Sequence, residues 1–204
     1  MKLLFILLCL LLSLNNYGQN NTQILKDIRQ KYNMITELLE QDNLEEVAVR
    51  SDCNDSGQIN ASLHFYYNES KLVYMNYEYR EGHSNNIYHY YLWDNKLIFY
   101  LAEYASWTWD YECTPSEQGF TNEIWTYEEH RVYFNDRTAT KCLYKTYEEK
   151  SVDQPYEGPH GLSDTIKNEE IDCNRDSIKE IIKTYLQLAS SKDGTTVDIC
   201  NILN

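Results

Sequence analysis

The chain has 204 residues and carries 18 lysines and arginines against 32 aspartates and glutamates, a formal net charge of −14. Nucleic acids and anionic membranes repel so acidic a surface, so this balance argues against both as partners. The length suits one domain with a sizeable core, and 19 tyrosines and 4 tryptophans exceed what such a core requires.

The first predicted element is a signal peptide over residues 1–18. Residues 1–14 read MKLLFILLCLLLSL, a lysine followed by an almost unbroken apolar run, which is typical of an export signal. The apolar run is too short to span a bilayer as a helix. We place cleavage after Gly18. The mature chain, residues 19–204, is then a single domain exported to the periplasm or the extracellular space, with no membrane anchor.

An amphipathic helix is predicted next, because apolar residues recur every three or four positions. It should end near Asp42 and Asn43. Its apolar stripe consists of Ile24, Ile28, Tyr32, Ile35 and Leu39.

The stretch RSDCNDSGQINASL, residues 50–63, resembles an EF-hand calcium loop. Asp52, Asn54, Ser56, Gly57 and Asn60 occupy suitable positions. Leu63, however, stands where such a loop needs a bidentate glutamate. Because Asn, Asp, Ser and Gly also favour turns, the stretch is interpreted as a turn between strands. No metal and no cofactor are predicted.

From residue 59 the hydrophobic period changes from 3.6 to two, which indicates half-buried strands. Three hairpins follow, at residues 59–80, 86–104 and 124–147, with turns at 68–70, 94–95 and 135–137. The hairpins resemble one another, since each has an aromatic strand end, a polar turn and an apolar return strand. The segment ASWTWDYE between the second and third hairpins is expected to be a loop.

A second amphipathic helix follows a linker that contains two prolines, residues 152–161. Asn174 or Asp176 can cap its start, and Gly194 lies beyond its end. Its apolar positions are Ile178, Ile181, Ile182, Tyr185, Leu186 and Ala189. We therefore expect an α+β fold, an antiparallel meander of about six strands with an N-terminal and a C-terminal helix packed on one face. The alternative is a half-barrel-like all-β sheet with peripheral helices.

The mature chain keeps an odd number of cysteines, and no CxxC spacing suggests a zinc or redox centre. These cysteines are Cys53, Cys113, Cys142, Cys173 and Cys200. Export permits disulfides. Spacing does not fix their connectivity, and the preferred pair is Cys173 with Cys200.

Catalytic patterns are sparse, and no catalytic residue is predicted. The sequence has no GxSxG, HExxH or phosphate-binding loop. Glu128 and His130 would share one side of a strand and form an acid–base pair. A Cys–His pair with Cys113 or Cys142 is a second possibility. A cell-envelope hydrolase is therefore the alternative to a noncatalytic protein.

Aromatic residues carry the favoured functional hypothesis, a noncatalytic module that contacts a glycan, a peptide or a protein. Tyr91 and Trp93 share one face of a strand whose two faces are both aromatic. Trp107 and Trp109 would point the same way and form a platform of two parallel indoles. The competing interpretation is that these tryptophans fold back and close the end of the sheet.

Several segments resemble uncharacterised exported proteins of Bacteroidota, by pattern rather than by an invariant motif. They are ILKDIRQKYNMI, SGQINASLHFYYNESKLVYM, YYLWDNKLIFYL and EEHRVYFNDRTATKCL, within residues 24–143. The last hairpin departs from the pattern. Those proteins often have a glycine in this turn, whereas this chain has Asp136-Arg137-Thr138. The resemblance implies an exported α+β domain and no particular activity.

Overall fold

The computed structural model describes residues 2–54, 58–111, 123–150, 162–190 and 198–202, and of residues 2–20 only the backbone. Two long helices and one β-sheet make up most of this part of the chain. The helices are α1 (Lys2–Glu40), α2 (Leu162–Thr165) and α3 (Arg175–Ser190), followed by a 3₁₀ turn, Ile199–Asn201. The strands are β1 (Glu45–Asp52), β2 (Ile59–Asn68), β3 (Lys71–Glu81), β4 (Ser84–Trp93), β5 (Lys96–Trp109), β6 (Glu123–Asn135), β7 (Thr138–Lys150) and β8 (Glu169–Ile171).

The sheet is open and antiparallel, with its eight strands in chain order from β1 to β8. The antiparallel meander with helices is confirmed, and the expected count of about six strands was wrong. The two additional strands lie at the edges. β1 precedes the turn-rich stretch, which obscures its alternation. β8 has only three residues and pairs with Cys142–Tyr144, too short a stretch to show a period in the sequence.

The three central hairpins share one geometry. Each turn has two consecutive non-glycine residues with positive φ, the conformation of the tight turns that fit the twist of paired strands. Each return strand then carries one extra residue, a β-bulge, at the third position after the turn. The turns are Glu69–Ser70, Asp94–Asn95 and Asp136–Arg137, and the bulged residues are Val73, Ile98 and Thr140.

The two helices cover opposite faces of the sheet, not one face as predicted. α3 and the 3₁₀ turn pack on a core that includes Phe65, Tyr90 and Phe134. α1 packs on the other face, where Tyr32 lies 4.8 Å from Tyr91 between ring centroids. The physical reason is that the strands are apolar on both faces, so each face needs its own cover.

The C-terminal helix begins as its sequence indicates. Oδ1 of Asn174 accepts hydrogen bonds from the backbone N–H groups of Asp176 and Ser177, at 3.0 and 3.1 Å. Asn174 is therefore the N-cap. α1 begins at Lys2 and ends at Glu40, so its end agrees with the predicted one near Asp42. Among the described residues, no helix is both long and apolar enough to cross a membrane.

Two disulfides tie the C-terminal part of the chain to the sheet. They join Cys53 to Cys200 and Cys142 to Cys173. The preferred pair of Cys173 with Cys200 was therefore wrong. The disulfides hold the 3₁₀ turn near β1 and β8 near β7, contacts between distant segments that cysteine spacing does not reveal. Cys113 lies outside the described residues.

Candidate functional site

A cleft of about 680 Å³ lies on the face of the sheet that carries α1. α1 covers the end of this face nearest the three hairpin turns, and the cleft occupies the other end. We call it the aromatic cleft; its aromatic lining consists of His83, Tyr104, Trp107, Trp125, Tyr127 and Tyr147. Strands β4 to β7 supply its floor, because residues two apart on each strand face the same way.

The middle of the floor is a row of four register partners across β4, β5, β6 and β7. The row is Asn85, Ala105, Tyr127 and Tyr147. Tyr127 and Tyr147 stack with their ring centroids 4.9 Å apart. Ala105 reaches less far from the sheet than its neighbours, and this depression explains why a cleft forms here. Burial raises the pKa of the Tyr147 hydroxyl above its ordinary value.

Tryptophans form the wall nearest the end of the sheet. Trp107 pairs with Trp125 across β5 and β6. The turn at Gly82, whose φ of 53° suits glycine, brings the His83 ring within 3.7 Å of the Trp107 ring, stacked upon it. The backbone N–H of Trp107 donates to the carbonyl of His83 at 3.1 Å. One face of the Trp107 indole is thus already covered.

The segment with Trp107 and Trp109 is part of β5 and not the predicted loop. The two residues do share a face, but their rings meet at 82°, edge to face, instead of forming two parallel indoles. Trp107 is half-buried and Trp109 is 47% exposed. The physical reason is that β5 and β6 pair as far as Trp109 and Glu123, so the indoles pack along a continuous strand pair.

A buried ion-pair cluster lies at the edge of the cleft nearer α1. Glu129 and Lys145 are only 5% and 4% exposed and are register partners. Nζ of Lys145 lies 2.7 Å from Oε1 of Glu129, and Nη2 of Arg131 lies 2.6 Å from Oε2. The hydroxyl of Ser163, on α2, also donates to Oε1 at 2.8 Å. Each buried charge therefore has a partner, as burial requires.

The ionisation of Glu129 follows from these contacts. Burial by itself raises the pKa of Glu129, but the hydrogen bonds from Lys145, Arg131 and Ser163 outweigh it and hold the pKa below its ordinary value. Ser163 Oγ also accepts a 2.6 Å hydrogen bond from Lys145. The Ser163 hydroxyl thus donates to Glu129 and accepts from Lys145, and both contacts belong to the ion-pair cluster.

A second polar group connects the cleft to the core under α1. The Nε2 atom of His89 lies 2.7 Å from Oε2 of Glu103, and Nδ1 lies 2.6 Å from the hydroxyl of Tyr74. Burial raises the pKa of Tyr74. The side-chain amide of Asn76 lies 3.2 Å from the same Nδ1 atom, so both ring nitrogens of His89 have polar partners. The contact with Nε2 orients the Glu103 carboxylate, which lines the cleft and stays 44% exposed.

The other two predicted contact residues lie elsewhere on the same face. Tyr91 is buried against Tyr32 of α1 and Phe99. Trp93 is half-buried, and the Nζ atom of Lys31 on α1 lies 5.6 Å from its ring. The structure thus groups Trp107 with the cleft and places Tyr91 and Trp93 in the packing of α1.

The acid–base pair of the alternative hydrolase hypothesis lies on the face covered by α3. Glu128 and His130 share that face with Val132, and the shortest distance between their polar atoms is 3.8 Å. This distance is longer than a hydrogen bond. Cys142 is a disulfide partner of Cys173 and has no thiol for a Cys–His pair. Cys113 is not among the described residues.

The segment that resembles a calcium loop connects β1 to β2. Oδ1 of Asn54 accepts hydrogen bonds from the backbone N–H groups of Gln58 and Ile59, both at 3.1 Å. Asparagine closes a turn in this way. Residues 55–57 lie outside the described part of the chain. The absence of a tight calcium site stays a prediction.

Sequence reasoning missed most of the cleft. Trp125, Tyr127 and Tyr147 alternate on β6 and β7, so their common face was open to prediction. Ala105 gave no signal, because the importance of a small residue depends on its larger neighbours across three strands.

Comparison with protein-family models, curated proteins and solved structures finds no match. The resemblance to exported proteins of Bacteroidota stays a prediction.

Proposed function

We propose that this protein is an exported, noncatalytic binding module that holds a glycan, peptide or protein ligand in the aromatic cleft. The observation that carries the proposal is the cleft itself, a cavity of about 680 Å³ with five tryptophan and tyrosine residues in its lining, beyond the cover of α1. Its volume falls within the range of about 300–1,000 Å³ typical of ligand sites. Tryptophan and tyrosine are also the residues that contribute most at binding hot spots.

Export is the second part of the proposal. It is supported by the leader-like residues 1–18 and by two disulfides, which persist in oxidising compartments. The mature protein is expected to begin near Gln19 without a lipid on Cys9. The intact mass of protein isolated from the producing cells tests this. A mass that retains the leader, or that includes an acylated Cys9, contradicts it.

The binding proposal is tested by filling the cleft. Ala105→Phe places a ring in the depression of the floor, in open space and not in a packed core. The matched control is Ala48→Phe, because Ala48 is an exposed position on the same face of β1, outside the cleft. Each variant is applied to an array of immobilised oligosaccharides and random-sequence peptides.

Capture by the wild type and by Ala48→Phe, with at least a tenfold loss for Ala105→Phe, is the expected result. Unchanged melting temperatures in both variants establish that the fold is intact. Equal capture by Ala105→Phe and the wild type would show that the ligand binds elsewhere. Failure of the wild type to retain any probe would also overturn the proposal.

A further inference from the structure

The charges around the aromatic cleft do not cancel. Lys145 and Arg131 carry two positive charges against the one negative charge of Glu129, and Arg80 pairs with Glu78 at 2.6 Å. Among the described residues, the only partner that holds the Glu103 carboxylate is the imidazole of His89. A carboxylate has more acceptor positions than that single bond uses. The rim adds the exposed carboxylate of Asp164. Glu103 and Asp164 together outweigh the excess positive charge of the Glu129 cluster, so these seven groups sum to one negative charge.

The floor of the cleft also holds an acceptor that needs a donor. Oδ1 of Asn85 is buried and has no hydrogen-bond partner within the described part of the chain. Asn85 sits beside Ala105 in the middle row, next to the depression. A buried acceptor without a partner costs free energy. A ligand with N–H donors in this depression removes that cost once the Asn85 side chain turns toward it.

Three properties of the ligand follow from these observations. It is cationic, because Glu103 and Asp164 leave the charged groups of the cleft with a net negative charge. It is rich in N–H donors, because Glu103 and Asn85 accept. It presents a flat cation, because a guanidinium stacks on the faces of an aromatic lining better than an ammonium does.

We propose that the aromatic cleft binds the arginine side chain of a basic peptide, an inference that rests on the proposed binding function. The cleft is larger than one guanidinium requires, so residues on either side of the arginine also fit. The net charge of −14 attracts a basic peptide over a longer range. Glu103 receives the guanidinium N–H groups, and Asn85 accepts from the same group or from the peptide backbone.

The test compares three blocked pentapeptides by isothermal titration calorimetry. Each has glycine at four positions and arginine, citrulline or lysine in the centre. Citrulline has nearly the shape of arginine but carries no charge. We expect the arginine peptide to bind at least tenfold more tightly than the citrulline peptide, with lysine between them, and added salt to weaken only the charged peptides.

The matched variants are Glu103→Gln and Glu148→Gln, which remove the same charge inside and outside the cleft. Glu148 is exposed on the other face of β7. Glu103→Gln should weaken the arginine peptide about tenfold, the loss expected for a hydrogen bond to a charged group, and leave the citrulline peptide unchanged. Glu148→Gln should change neither.

The outcomes separate this inference from the binding proposal. Equal affinity for arginine and citrulline, or an arginine affinity that Glu103→Gln does not alter, overturns the inference. Absence of binding by the arginine peptide overturns it as well. If Ala105→Phe still abolishes capture of an oligosaccharide or neutral peptide from the array, the cleft remains a binding site for a different ligand.

Discussion

At the scale of single residues, the cleft is defined by contrasts in size and charge. Ala105 is small among large neighbours, so a depression forms between Asn85 and Tyr127. Glu129 is buried and fully paired, whereas Glu103 keeps exposed acceptor positions. A paired buried carboxylate stabilises one geometry of the site, and an exposed one on the same face is available to a ligand.

The buried pair makes a prediction about acid. The pKa of Glu129 in the folded protein lies below its ordinary value of 4.5. The stabilisation from its charged form is therefore fully present above about pH 4.5 and is lost as pH falls through the folded-state pKa. The difference in free energy of unfolding between the wild type and Glu129→Gln should be constant near neutral pH and shrink in acid.

Urea denaturation of both proteins between about pH 3 and pH 7 measures this difference. The variant Glu148→Gln controls for removal of an exposed charge from the same part of the sheet. A difference that grows as the solution becomes more acidic would show that the charged form of Glu129 does not stabilise the fold.

At the scale of elements, sequence patterns predicted what depends on neighbours along the chain. The helical stripe placed Ile28 and Ile35 in the core under α1, and alternation with turn residues located the three hairpins. The patterns failed for features that depend on pairing between strands across the sheet. These features are the edge strands β1 and β8, the strand at Trp107, and the placement of the helices on two faces.

The repeated turns predict a gain in stability from a change of turn residues. Glu69 and Ser70 have φ of 48° and 67°, a conformation that costs residues with side chains about 1–2 kcal/mol. Asn-Gly is the preferred pair for this turn. Glu69→Asn combined with Ser70→Gly should raise the free energy of unfolding by about 0.5–1 kcal/mol, because glycine loses some chain entropy in return.

Chemical denaturation of the double variant and the wild type measures the gain. The matched opposite change is Ser70→Val, which should lower the free energy of unfolding, because a β-branched residue tolerates positive φ poorly. If the Asn-Gly variant is less stable than the wild type, the shared turn geometry of the hairpins is wrong.

At the scale of the whole molecule, the sheet is the middle layer between two helices, and two disulfides connect distant segments to it. Cys53 and Cys200 are 147 residues apart in sequence, and Cys142 and Cys173 are 31 apart. α1 covers only part of its face. The aromatic cleft lies on the remaining part of this face. The area of the sheet that α1 covers therefore determines where the proposed site lies.

The disulfides should differ in their effect on stability. Closing the longer loop removes more entropy from the unfolded chain. Replacing Cys53 and Cys200 with serine should cost about 5 kcal/mol, against about 4 kcal/mol for Cys142 and Cys173. Thermal and chemical unfolding of the two double variants measure both costs. A larger loss from the shorter loop would show that local contacts, not loop entropy, govern the difference.

The most direct test of the cleft uses the 4 tryptophans of the chain as reporters. Nuclear magnetic resonance of ¹⁵N-labelled protein gives one indole N–H signal for each, assigned by single Trp→Phe substitutions. During titration with the tightest ligand from the array, the signals of Trp107 and Trp125 should move while that of Trp93, packed near Lys31 of α1, stays in place. A shift confined to Trp93, or no shift in any indole when ligand is bound, would contradict binding in the aromatic cleft.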